Sequence, residues 1–286
     1  MLSIGLQEEF DALQRIIAEM GRVVIGFSGG VDSTLLLKVC VETLGSGNVF
    51  AVIGRSDTYP EREYAEAQRI ATEIGAAITE VETKETDVLK FKENPPDRCY
   101  FCKTELFSEL QAIADSHHIE WILDGTHADD TGDFRPGMRA VRERGVRSPL
   151  LESGLGKSGI RALSRYFGLS TAEKPSFACL SSRFPYGMEI DKERLRAIDE
   201  AENFLYDYGF RAVRVRHHDK QTARIEVGQN DIAKLMDTEL RIAIVQKMHT
   251  LGFTYITLDL EGFRSGSMNA VLSIEVKKSY MDDAAE

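Results

Sequence analysis

The run Val23-Val24-Ile25-Gly26-Phe27-Ser28-Gly29-Gly30-Val31-Asp32-Ser33-Thr34-Leu35-Leu36-Leu37 constrains this chain more than any other stretch. β-Branched apolar residues lead into a double glycine, and an apolar helical pattern follows, which reads as strand, tight loop and helix. Gly29 and Gly30 let the backbone approach a bulky anion. The N–H groups of Ser28 to Ser33 and the start of the helix would point at it. Ser28 and Ser33 add hydroxyl donors, and Phe27 closes the strand. Asp32 would repel a phosphate, so it is expected to hold a magnesium ion instead. No Gly-Lys-Ser/Thr closes the loop, so it is not a Walker A motif. The bland alternative is a glycine-rich strand-to-helix turn.

The surrounding pattern repeats the alternation. Strands are expected at Val23–Phe27, Val49–Ile53, Ile78–Val81 and Ile119–Asp124. Helices are expected through Leu44, over Glu61–Ile74, Lys103–His117 and Gly159–Phe167. Strands spaced by helices imply an α/β fold with a doubly wound parallel sheet. Ligands of such sheets bind beyond the carboxyl ends of the strands, where Phe27–Ser33, Gly54–Asp57 and Gly125–Asp130 fall. After Phe184-Pro185-Tyr186-Gly187 the character changes. A helix over Lys192–Tyr208, strands Ala212–His217 and Thr222–Val227, a helix Asp231–Leu251 and a strand Thr254–Leu260 give a ββαβ order. The chain therefore divides into residues 1–184 and a second, smaller α+β domain, 185–286. The tail Asp282–Glu286 is expected to fray.

The chain has 286 residues, 43% hydrophobic and 28% charged, in the range of a soluble globular protein. Its formal net charge of −11 argues against broad nucleic-acid binding. No apolar run approaches a membrane span. The first residues read as an amphipathic acidic helix with Leu6, Phe10, Leu13, Ile16 and Ile17 on one face, not as a leader. Four cysteines in such a chain suggest a reducing, cytoplasmic setting, with thiols used for chemistry or metal.

Four further groups stand out. Asp124-Gly125-Thr126-His127 ends a strand on the same sheet edge as the glycine loop, so Gly125 and Thr126 are candidates for nucleotide contact, against a plain polar turn. Lys157 and Arg161 lie four apart on one helical face, which is either solvated or phosphate-facing. Cys40 lies in an apolar helix and reads as a core thiol. Cys99 and Cys102 form Cys-Tyr-Phe-Cys at a helix head, and Cys179 lies in Pro175-Ser176-Phe177-Ala178-Cys179 at the domain junction. Arg98, Lys103 and Arg183 nearby favour thiolates. Three convergent thiolates suit a 4Fe–4S cluster with one open iron, or zinc with one outside ligand, and the spacing does not choose. Arg214 and Arg216 share one face of a strand, a paired guanidinium surface for phosphate or carboxylate; the competing reading is an exposed strand ion-paired with Glu226.

The Ser28–Ser33 hexapeptide resembles the loop of the ATP pyrophosphatase (PP-loop) enzymes, which cleave ATP between the α and β phosphates. Together with Arg98–Lys103, Gly132–Gly137, Lys174–Arg183, Arg214-Val215-Arg216 and Gly262-Phe263-Arg264-Ser265-Gly266-Ser267, it makes the chain resemble the LarE family over nearly its whole length. The resemblance implies a PP-loop, adenine nucleotide α-hydrolase-like fold. It implies an AMP-forming sulfurtransferase that uses ATP and Mg2+ on pyridinium-3,5-biscarboxylic acid mononucleotide, in making the nickel-pincer nucleotide of lactate racemase. Carboxylate adenylation would precede sulfur delivery. It places adenine near Ser56, Gly125 and Thr126, pyrophosphate near Lys157 and Arg161, and the substrate phosphate on Arg214 and Arg216, with Lys103 and Arg183 orienting the substrate. Cys179, Asp32 and Lys103 become the catalytic residues. Some relatives carry one cysteine at the Cys179 position and sacrifice its sulfur; this chain has Cys99, Cys102 and Cys179, the pattern of a 4Fe–4S enzyme refilled by a sulfide source. The family suggests a homo-oligomer, a hexamer. Rival readings are another PP-loop ligase, a tRNA-thiolating enzyme, or a nucleotide- or iron–sulfur-sensing module.

Overall fold

The computed structural model describes residues 2–132, 134–175, 178–264 and 266–282. Asp133, Ser176, Phe177, Ser265 and the last four residues of the tail expected to fray lie outside the described residues.

Four strands, β1 (Val23–Gly26), β2 (Val49–Arg55), β3 (Ile78–Glu82) and β4 (Trp121–Leu123), form a parallel sheet in the order β3-β2-β1-β4. The register runs Val23↔Val49, Ala51↔Ile78 and Val23↔Trp121. Side chains alternate between two cores. Val23 and Ile25 join one face with Leu13, Ile17, Leu35 and Ile160. Val24 and Val52 join the other with Phe107, Leu110 and Ala140. Both faces of every central strand are thus covered by helices, which is why these strands read as continuous apolar runs. All four strands fall where the sequence pattern places them. The order reverses between β1 and β4, so the crevice of the sheet opens there.

The first helix, Ile4–Met20, is capped by the Ser3 hydroxyl and buries Phe10, Leu13 and Ile17 against the sheet. The cysteine helix spans Arg98–Ser116, starting five residues earlier than expected, with Asp97 alone between it and the Pro95-Pro96 pair. Cys99 and Cys102 therefore lie one turn apart on its first turns, on neighbouring positions of the helix surface.

A second sheet pairs β5 (Val213–His217) antiparallel to β6 (Thr222–Val227), and β6 parallel to β7 (Tyr255–Leu258). Its core holds Val213, Val215, Ile225 and Phe253 with Leu195 and Ile198 of the helix Lys192–Asp207. Phe91, Leu180 and Phe184 pack into the same core. The single helix expected over Asp231–Leu251 is instead two short 3-10 turns followed by a helix at Thr238–Thr250. The Asp237 carboxylate captures the Leu240 N–H and restarts the chain there.

Candidate active site

The loop after β1 is held from inside. The Ser28 N–H and hydroxyl meet the Ser33 hydroxyl at 3.3 and 3.1 Å, and Ser33 donates to the Gly30 carbonyl at 3.3 Å. Gly29 has φ +61°, and a Cβ there would stand 2.7 Å from the Ala67 Cβ. Only glycine lets the loop take this turn and lie on the helix Glu61–Ile74. Gly30 then starts the helix Val31–Leu44, whose free N–H groups face the crevice. Gly125 serves the same end from β4, because its missing side chain lets the strand end approach Ser33 N, 3.1 Å from where a Cβ would be.

Asp32 and Lys157 meet across this crevice, with Lys157 Nζ 2.7 and 2.8 Å from the two carboxylate oxygens. The Lys157 N–H donates to Asp129 at 2.7 Å. His127 Nε2 lies 3.4 Å from Asp130 and 3.9 Å from Asp32. Arg135 pairs with Asp130 at 2.8 Å.

A cavity of about 330 Å³ opens beside the loop. Phe27, Ser28, Asp32, Ser33, Ser56, Gly125 and Thr126 line one part of it, and Cys102, Lys103 and Cys179 another. Lys103 Nζ is 3.2 Å from Asp124, which also accepts from the Ser148 hydroxyl and from the Thr126 hydroxyl and N–H. Burial pushes the Asp124 carboxyl up, but Lys103 and these hydrogen bonds outweigh it and hold it below the usual carboxylate range. Thr126 is thereby engaged in fixing Asp124.

The three thiols share one electrostatic neighbourhood. Burial raises the Cys102 thiol well above its usual range, and Glu85, Cys179 and Cys99 push the same way. Arg98 is buried beside them; burial works against its charge, and the neighbouring Cys99 and Cys179 outweigh it. Burial also raises the Cys99 thiol against the pull of Arg98 and Lys103, so the expectation that the nearby cations favour thiolates is not met at Cys99 or Cys102. As a donor set, three soft thiols flanked by cations fit an iron–sulfur or zinc group. Their side chains as placed do not close into one: among the described residues, no three His, Cys, Asp or Glu side chains are arranged to hold a metal ion.

Three residues expected at ligands are engaged elsewhere. Arg183 is 1% exposed and forms a bidentate pair with Glu202 at 2.9 and 2.8 Å, while also donating to the Ala178 and Cys179 carbonyls. It holds the backbone at Cys179 instead of facing a substrate. Arg161 donates to the Ala172 and Lys174 carbonyls, so it braces the same segment and not the phosphate loop. Arg216 lies in a buried pair with Glu226 at 2.8 Å and also donates to the Ser182 carbonyl and the Ser267 hydroxyl. The ion-paired reading of this strand holds for Arg216, though buried instead of exposed. Arg214 lies over the Phe263 ring at 4.9 Å, on the wall of a second cavity of about 670 Å³ that also touches Lys174 and Arg183.

Sequence reasoning passed over Asp124, His127, Asp130 and Tyr59. The first three stood in a segment already marked as a strand end, and two carboxylates and an imidazole within seven residues were the available signal. Tyr59 carried no pattern at all.

Among the described residues, no helix is long and apolar enough to cross a membrane. Residues 6–107 match the NAD synthase family. The chain is 29% identical over 111 residues to an NH(3)-dependent NAD(+) synthetase of Archaeoglobus fulgidus, covering 38% of this chain and 44% of that one. An uncharacterised protein of Synechocystis is 41% identical over 268 residues, 94% of this chain and 99% of that one. The pyridinium-3,5-bisthiocarboxylic acid mononucleotide synthase of Lactiplantibacillus plantarum is 37% identical over 257 residues, 90% and 92% of the two chains. Identity at that level over nine-tenths of both chains makes this chain a member of the LarE family, the PP-loop family of that synthase.

Proposed function

We propose that this protein adenylates the carboxylates of pyridinium-3,5-biscarboxylic acid mononucleotide with ATP and converts them to thiocarboxylates. One observation carries the reading: the phosphate loop, Lys103, Cys102 and Cys179 line a single cavity. ATP lies on Ser28–Ser33 with its base toward Ser56 and Gly125. A substrate carboxylate oxygen attacks the α-phosphorus, and the bond to pyrophosphate breaks. Lys157 exchanges its Asp32 partner for the departing pyrophosphate, which it neutralises, and Asp32 would then hold Mg2+. That ion supplies charge neutralisation on the phosphates. A sulfur nucleophile next attacks the acyl carbon, and AMP leaves with the oxygen. Lys103, held by Asp124, orients the substrate, and Arg214 takes its phosphate. Cys99, Cys102 and Cys179 would hold a 4Fe–4S cluster, which supplies an open iron for hydrosulfide drawn from an external sulfide source. The family resemblance adds a cytoplasmic homo-oligomer.

A second reading, in which Cys179 gives up its own sulfur, is favoured by the place of Cys179 in the cavity wall. The anaerobic protein with substrate, ATP and sulfide should release pyrophosphate and AMP over repeated turnovers and yield the thiocarboxylate. Asp32→Asn should melt like the wild type yet release pyrophosphate slower by on the order of a thousandfold, the rate equivalent of several kcal/mol of charge stabilisation. Mass spectrometry showing Cys179 without its sulfur after one turnover would establish the second reading. No pyrophosphate from the wild type with substrate would overturn both.

A further inference from the structure

The backbone around Cys179 is tied to the phosphate loop on both sides. Before it, Lys174 Nζ donates to the Gly29 carbonyl at 3.3 Å and pairs with Glu63 and Glu66, each at 2.7 Å. After it, the Leu180 N–H donates to the Thr58 carbonyl at 2.8 Å. The next residue, Tyr59, turns back and donates its hydroxyl to the Ser28 carbonyl at 2.8 Å. Thr58 is itself fixed, its hydroxyl donating to the buried Glu85 at 2.7 Å. Burial and the charges of Glu63 and Glu66 raise the Tyr59 pKa, so the hydroxyl keeps its proton and remains a donor. Two carbonyls of the phosphate loop, those of Ser28 and Gly29, thus receive one strap from each side of Cys179.

We propose that Tyr59 and Lys174 are positioning residues that hold Cys179 in register with the phosphate loop, so that sulfur attack outruns hydrolysis of the acyl-adenylate. The inference rests on the adenylation reading above. An acyl-adenylate formed on the loop can react with sulfur or with water, and in either case the acyl–oxygen bond to AMP breaks. Only alignment of the sulfur favours the first. Both straps end on carbonyls of the loop, whereas its N–H groups and hydroxyls are the groups that would hold ATP, so loosening a strap should affect sulfur alignment more than adenylation and separate the two half-reactions.

The test compares pyrophosphate–ATP exchange, which reports adenylation, with thiocarboxylate formed per pyrophosphate released. Tyr59→Phe removes only the hydroxyl; its exchange should stay within roughly twofold of the wild type while product per pyrophosphate falls roughly tenfold. Lys174→Gln should shift the same ratio, and decides the matter if Tyr59→Phe does not fold by thermal melting. Unchanged product per pyrophosphate in the folded variants, or exchange and product falling in parallel, would overturn the proposal. A wild type that shows neither exchange nor pyrophosphate release fails at the adenylation reading itself, a result distinct from either of these.

Discussion

Arg214 and Arg216 share one strand and one face, yet their neighbours give them different work. Arg216 is 5% exposed and locked to Glu226, which is 1% exposed. Removing one partner of a buried pair leaves a desolvated charge behind. Arg216→Ala should therefore cost about 3–5 kcal/mol in denaturant unfolding. Arg216→Ala combined with Glu226→Ala should recover part of that loss. Arg214, over Phe263 on a cavity wall, is expected to act on the ligand. Arg214→Ala should weaken substrate binding by roughly 1.5–3 kcal/mol, the worth of a charge-assisted hydrogen bond, and raise KM without changing ATP affinity. Equal substrate affinity in wild type and Arg214→Ala would remove the phosphate from this strand. Strand periodicity gives both arginines the same face and cannot rank them, because the distinguishing contacts come from Ser182 and Ser267, far away in the chain.

At the scale of elements, the strand–loop–helix at Val23–Leu44 is where sequence and structure agree most closely, because local chemistry alone determines it. Glycine at position 29 meets both a left-handed backbone and the side of Ala67. Gly29→Ala should cost about 1–2 kcal/mol for the backbone and a further 1–3 kcal/mol for overpacking, and should weaken nucleotide binding by displacing Ser28 and Gly30. Calorimetric titration with an ATP analogue measures the second effect and urea unfolding the first; a variant with wild-type values in both would place the loop differently. The four parallel strands were legible for a similar reason, since burial on both faces writes continuous apolar runs. The pairings of the charged side chains around the site were not. Asp32 finds Lys157, Arg183 finds Glu202, and Arg161 finds two backbone carbonyls only after the chain has folded. A cation four residues from another on a helix looks the same in sequence whether it faces phosphate, water or a carbonyl.

Across the whole molecule, the segment that follows Cys179 belongs to the core of the second sheet. Leu180 and Phe184, which flank the turn after Cys179, pack into the core of the second sheet. That core contains a titratable ring. His217 is 4% exposed and lies between Phe184 and Phe253, with ring centres 5.0 and 4.8 Å away. Burial lowers its pKa from the ordinary 6.5 to about 4. The unfolded chain therefore takes up this proton before the folded one does. Stability is full above pH 6.5, declines as the pH falls, and the loss levels off below about pH 4. A gap of that size corresponds to on the order of 3 kcal/mol. The Asp124 carboxyl, held low by Lys103 and its hydrogen bonds, adds a loss that begins as the pH falls into the ordinary carboxylate range around 3.8 and continues below it. His217→Phe keeps a ring in the stack and has no proton to take up, so its unfolding free energy should stay flat between pH 6.5 and 4.5 where the wild type declines. Because Leu180 and Phe184 belong to this core, alkylation of Cys179 in the wild type should quicken over the same pH interval relative to a free-thiol control, and should not do so in His217→Phe. Parallel stability curves for the two proteins would assign the acid loss to other groups.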